Sequence, residues 1–139
     1  MSITKDELRQ YRFIAAEIAE LKCEIAELEC IATSPHVQEY GASPAGGGMA
    51  GDRQSALVAR LSDLKMQYME KIARLLALKA RIEEGILCLD DEKQRLIRLR
   101  YFRGLTWEAV AVEMGVTWRT VHNWHGDILR KLKKEPSGG

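Results

Sequence analysis

Residues 107 to 126, WEAVAVEMGVTWRTVHNWHG, constrain the fold more than any other stretch, because their punctuation fits two short helices joined at a glycine. Thr106 is placed to cap a helix carrying Val110, Ala111 and Met114 at helical spacing, with Glu108 in the first turn, where the helix dipole favours negative charge. Gly115 stops that helix. The residue just past a helix end commonly takes the left-handed region, which glycine enters without a side-chain penalty. Thr117 then caps a second helix from about Trp118, whose apolar residues Val121, Trp124, Ile128 and Leu132 recur at helical spacing. One face of it is predicted to pack inward, leaving Trp118, Arg119, His122 and Asn123 outward. The placing of Ala111 and Val121 around Gly115 fits a helix-turn-helix, although an ordinary helical hairpin uses the same turn.

The remainder of the chain is predicted to be helical as well, giving an all-α protein: a long two-helix, coiled-coil-like arm followed by a small helix-turn-helix domain. Residues 5–32 carry a heptad seam, with Ile14, Ile18, Leu21, Ile25 and Leu28 among its members and Glu17, Glu20, Glu24 and Glu27 beside it. Residues 33–51 hold two of the three prolines and a run of glycines with no apolar period, so a flexible loop is expected there. Its Gly-Gly-Gly lacks the Lys-Ser/Thr and the preceding strand of a phosphate-cradling loop. A second long helix is expected from about Asp52 to Leu89, with Leu61, Leu64, Tyr68, Ile72 and Leu75 in its stripe and a loosening at Gly85. The two fit an antiparallel hairpin. Such a hairpin hides only one face, so a second copy is expected to complete the core, with these ten seam and stripe residues as the oligomerisation set and a dimer favoured. Asp90 and Asp91 start a third helix ending at Gly104. The expected division is therefore an arm of residues 1–89, a domain of residues 90–134 and a flexible tail of residues 135–139.

Charge is unevenly spread over a chain whose net is +1. Residues 1–51 carry 4 basic and 8 acidic side chains, whereas residues 90–139 carry 10 basic and 7 acidic. Arg130, Lys131, Lys133 and Lys134 run off the last helix, where they suit either a polyanion or the negative end of the helix dipole. No apolar run is long enough for a membrane span, and the N-terminus lacks a secretory pattern, so a cytoplasmic protein is expected. Cys23 and Cys30 lie seven apart on one helix, too far to bridge, and with Cys88 they make no metal spacing. His122 and His125 lack a third ligand, and no nucleophile with a base, paired carboxylates or phosphate loop is visible. Neither an enzyme, a metal site nor a cofactor is expected.

The run from Leu89 to Leu132 resembles region four of the sigma-70 class of bacterial transcription factors, in its acidic helix start, its Leu-Arg-Tyr-Phe-x-Gly-Leu-Thr segment at Leu99–Thr106, its Ala111, Gly115 and Val121 turn and its Leu129-Arg130-Lys131-Leu132 end. With two long helices and a Ser/Pro/Gly-rich loop ahead of it, the whole layout resembles small phage-encoded regulators of the RinA and ArpU type. That resemblance implies a transcriptional regulator of phage or prophage late genes in a bacterial host. Its partner is double-stranded DNA, and RNA polymerase is a candidate second partner. A viral DNA-packaging subunit of the small-terminase kind and a structural coiled-coil adaptor are the alternatives. It further implies that the helix beginning at Trp118 enters the major groove. There Arg119 can pair with guanine and Asn123 with adenine, Trp118 can press on a thymine methyl or cover the domain edge, and His122 can touch DNA. Thr106, Thr117 and Thr120 are candidate phosphate contacts, joined by Arg130, Lys131, Lys133 and Lys134.

Overall fold

A computed structural model describes residues 3–33 and 47–134, and every regular element among them is helical. In chain order they are α1 (Lys5–Ala32), α2 (Gly47–Gly85), a 3₁₀ turn (Ile86–Cys88), α3 (Asp91–Ile97), a π turn (Arg98–Phe102), α4 (Trp107–Met114) and α5 (Trp118–Lys134). The protein is all-α, a long helix pair followed by smaller helices. No helix among the described residues is long and apolar enough to cross a membrane.

α1 matches the expected span because its ends are capped. Thr4 Oγ1 accepts from the Glu7 amide at 3.2 Å, and at the other end the Thr33 hydroxyl donates to the Glu29 carbonyl at 2.9 Å. α2 departs from expectation at both ends. It begins at Gly47, so the last five residues of the expected flexible loop are helical, while residues 34–46 lie outside the described residues. Extending an existing helix needs no new nucleus, which offsets the roughly 1 kcal/mol that each glycine costs relative to alanine. At its far end α2 stops at Gly85 instead of continuing to Leu89. The backbone tightens through Ile86–Cys88 and turns extended at Leu89. Two side chains take up the carbonyls this releases: Lys131 Nζ donates to Cys88 O and Gln94 Nε2 to Leu89 O, both at 2.9 Å.

The chain divides into two compact units, one of Met1–Ala15 with Arg74–Gly139 and one of Ala16–Ala73. Contacts therefore do not part at residues 89 and 90, where the sequence suggested a boundary. The first unit draws in the start of α1 and the end of α2. Ile3, Leu8, Tyr11, Ile82 and Ile86 share a single core with Leu96, Ile97, Val110, Val121, Ile128 and Leu132. A Cβ on Gly85 would lie 2.6 Å from Ile3 Cγ2, so this glycine makes room for Ile3 where a loosened helix end was expected.

The second unit is an antiparallel helix pair. Ion pairs link Glu17 to Lys71, Glu24 to Arg60 and Glu29 to Lys65, each at 3.1 Å; the pairing of residue 17 with 71, and of 24 and 29 with 60 and 65, runs the two helices in opposite directions, with Arg60 and Lys65 crossing over to the further glutamate. Most of these side chains are half exposed, so the pairs set register more than stability. Leu21 and Leu64 are buried between them, and Ile18, Ile25, Leu28, Leu61, Tyr68 and Ile72 are half-buried. The buried members of the expected oligomerisation set are thus already covered within one chain. Ile14 and Leu75 belong to the first unit, Ile14 buried and Leu75 packed against its core. A different set is exposed on α2, where Val58, Met66 and Met69 flank Leu61 along an apolar groove. Cys23 and Cys30 are exposed, as the seam implies.

Candidate nucleic-acid interface

The turn between α4 and α5 is built by three residues whose chemistry matches their conformation. Thr106 Oγ1 accepts from the Ala109 amide at 3.1 Å, closing the start of α4. Gly115 takes φ +67° at its end, with its amide directed to the carbonyls of Ala111 and Val112. Thr117 Oγ1 then accepts from the Thr120 amide at 3.1 Å and lies 2.8 Å from the Thr120 hydroxyl. These three threonines cap or brace helix starts; a phosphate contact would need a hydroxyl proton from them, and the bond between Thr117 and Thr120 already uses one. Ahead of the turn, α3 starts as expected on Asp90, whose carboxylate accepts from Lys93 N at 3.1 Å. Its expected continuation to Gly104 is instead a π turn, closed by Arg103 N donating to Arg98 O at 2.9 Å.

The first turns of α5 present Arg119 and Asn123 to solvent, and Trp118 is 52% exposed. His122 differs from the expected outward residue. Its ring sits 3.9 Å from that of Trp118 and 4.8 Å from that of Trp107, and its Nε2 is buried with no hydrogen-bond partner among the described residues. It supports the exposed edge more than it extends it. Behind it, His125 Nε2 and the Tyr101 hydroxyl share a 2.8 Å hydrogen bond. Burial, reinforced by Arg100, His122 and Lys5, pushes the His125 pKa down to about 4, so this imidazole is neutral at neutral pH.

Further along α5, a shallow groove is lined by His122, Asn123, Gly126, Asp127 and Arg130. Arg130 is exposed but paired with Asp127 one turn away, which tempers its charge. Lys131 is committed to the Cys88 carbonyl. α5 runs to Lys134, which places Lys133 and Lys134 in its last turn.

Sequence reasoning missed Arg100 as part of this surface. Its guanidinium carbon lies 4.2 Å from the Trp107 ring centroid, and Nη1 donates to Leu105 O at 2.9 Å. The only signal for it was the Leu-Arg-Tyr-Phe segment, and the π turn that aims it leaves no mark in apolar spacing. Trp107 is packed against the core and also carries the stack of Arg100, His122 and His125.

A family model described as protein of unknown function (DUF722) matches residues 18–134. The chain belongs to that family. The DUF722 match takes in most of α1, all of α2 and both helices of the turn. No curated protein and no solved structure matches the chain.

Proposed function

We propose that this DUF722 member is a sequence-specific DNA-binding transcriptional regulator of the RinA/ArpU type, encoded by phage or prophage and acting in the bacterial cytoplasm on late genes. The observation that carries this is the exposure of Trp118, Arg119 and Asn123 on the first turns of α5, directly after a glycine turn capped on both sides. A guanidinium and a carboxamide one turn apart on an exposed helix start are the donor sets that read guanine and adenine edges in the major groove. Charge supports it too. The unit that contains α5 holds 16 basic against 11 acidic residues, net +5, whereas the other unit holds 5 against 9, net −4.

Selection from a random duplex pool followed by titration tests it. Arg119→Ala should cost about 1–3 kcal/mol of discrimination between the selected site and a scrambled duplex and leave nonspecific affinity nearly intact. Full discrimination by that variant would place the groove contact elsewhere, and no duplex binding at low salt would favour a structural adaptor. The exposed Val58, Met66 and Met69 keep the packaging-subunit reading as a second one, because such subunits work as rings. A ring of many copies in solution would favour it over a dimeric regulator bound to DNA with RNA polymerase.

A further inference from the structure

The first helix begins inside the unit that holds the helix-turn-helix. Leu8 and Tyr11 turn into the shared core, with the Tyr11 ring 4.9 Å from that of Phe102. Arg9 and Arg12 each follow one of these anchors by a single residue and are exposed. Their positions are consequently fixed by packing. Arg12 lies close enough to Arg100 to weaken, after burial, that guanidinium's hold on its proton, and both Arg9 and Arg12 act on the Tyr101 phenol. Lys5 bears on His125 in the same way.

Lys5, Arg9 and Arg12 recur at i, i+4 and i+7 on α1, and the Tyr11–Phe102 contact brings that end of α1 beside the segment that carries Arg100, with Lys79 Nζ 5.3 Å from the Phe102 ring centroid. Of the acids nearby, Glu7 is taken by Arg81 at 2.9 Å, Glu108 bears on Arg100, and Glu83 bears on Tyr11 beside Arg12. Asp6 remains beside Lys5, and among the described residues neither Arg9 nor Arg12 has an ion-pair partner. The helix dipole does not explain the cluster: Lys5 sits at the positive end of α1, where it is disfavoured, Arg9 and Arg12 lie beyond the first turn, and Arg100 is on another element. It contrasts with the basic end of α5, which the dipole does favour. From Arg100 a chain of ring contacts at 4.2, 4.8 and 3.9 Å runs through Trp107 and His122 to Trp118, joining the cluster to the exposed start of α5.

Resting on the DNA reading above, we propose that Lys5, Arg9, Arg12 and Arg100 form a phosphate-holding surface for the same duplex that α5 reads, so the start of the arm is part of the DNA interface. The backbone bordering a major groove about 12 Å wide is the anion within reach of such a flank. Phosphate contacts of this kind fix register without reading sequence.

The test is a salt titration of full-length protein on a selected and a scrambled duplex, comparing wild type with Arg9→Gln/Arg12→Gln. Glutamine keeps helix propensity at these exposed positions, and the charge-preserving Arg9→Lys/Arg12→Lys pair controls for folding. The glutamine variant should weaken binding to both duplexes alike and make the slope of log K against log salt shallower by roughly two units, about 0.9 for each phosphate no longer neutralised. The lysine variant should keep the wild-type slope. Lys22→Gln/Arg53→Gln, which removes the same charge from the other unit, should leave the slope unchanged. An unchanged slope in the first variant, or an equal loss in the control, overturns the surface while leaving the reading helix intact. If wild-type protein binds neither duplex, both proposals fall together.

Discussion

His125 shows how burial within this small unit becomes a pH dependence. Its pKa falls to about 4 in the folded protein because burial, then Arg100, His122 and Lys5, oppose the imidazolium. The unfolded chain titrates near 6.5 and so binds more protons between these values, which means that stability is complete above about pH 6.5 and is lost as pH falls toward 4. The loss should be on the order of 2 kcal/mol, since the residue is not fully buried. Urea melts at pH 7, 6 and 5 should show it, with a shallower dependence in His125→Gln. An identical dependence in both proteins would assign the acid loss to other groups. Gly85 makes a second test at the same scale. Alanine there gains about 1 kcal/mol of helix propensity but meets Ile3 at 2.6 Å, and overpacking typically costs about 1–3 kcal/mol. Gly85→Ala should therefore be neutral to destabilising alone and stabilising in an Ile3→Ala background. A stability gain in the wild-type background would mean that Ile3 yields easily.

The elements rest on a few capping residues, and substitution should reveal them individually. Thr117→Ala removes the bond to the Thr120 amide and should cost about 1 kcal/mol. Gly115→Ala should cost about 1–2 kcal/mol through backbone strain alone, because its Cβ would meet nothing within 4 Å while φ stays at +67°. Thermal melts of both variants check this; a Gly115→Ala protein as stable as wild type would mean that the turn relaxes. These positions were legible in the sequence because a cap is a local event: Thr106, Gly115, Thr117 and Asp90 announce themselves by residue type and spacing. So were the exposed Arg119 and Asn123, which follow from helical periodicity. What was hidden depends on contacts far apart in sequence. Nothing near Gly85 shows that Ile3 will cover it, nothing near Cys88 shows that Lys131 will bond its carbonyl, and apolar spacing does not distinguish the π turn at Arg98–Phe102 from another α-helical turn.

For the whole molecule, the seam and the exposed stripe of the arm should separate folding from association. Leu21 is buried in its unit, so Leu21→Asp should unfold that helix pair, whereas Met66→Glu/Met69→Glu alters residues 63% and 66% exposed and should leave helicity unchanged, lowering the sedimentation coefficient only of a chain that self-associates through this face. Sedimentation beside circular dichroism distinguishes the two; a wild-type monomer would remove the expected second copy, and a glutamate variant that still self-associates would place the contact off this face. The division of the core carries a sharper consequence for the helix-turn-helix itself. Ile3, Leu8 and Tyr11 are buried in the same cluster as Val110, Val121 and Ile128, and so are Ile82, Ile86 and Leu89. At about 1.5–3 kcal/mol for each large apolar side chain, loss of the first three alone is comparable with the whole stability of a typical domain, about 5–15 kcal/mol. A fragment of residues 90–139 therefore should not fold cooperatively, although it contains every residue of the turn. Removing residues 1–15 from the full chain should abolish the cooperative melt of the same unit and DNA binding with it. Amide spectra of the fragment would decide: dispersed, protected signals would mean that α3, α4 and α5 complete a core among themselves, and the docked end of α1 would then be a contact added to a domain already stable without it.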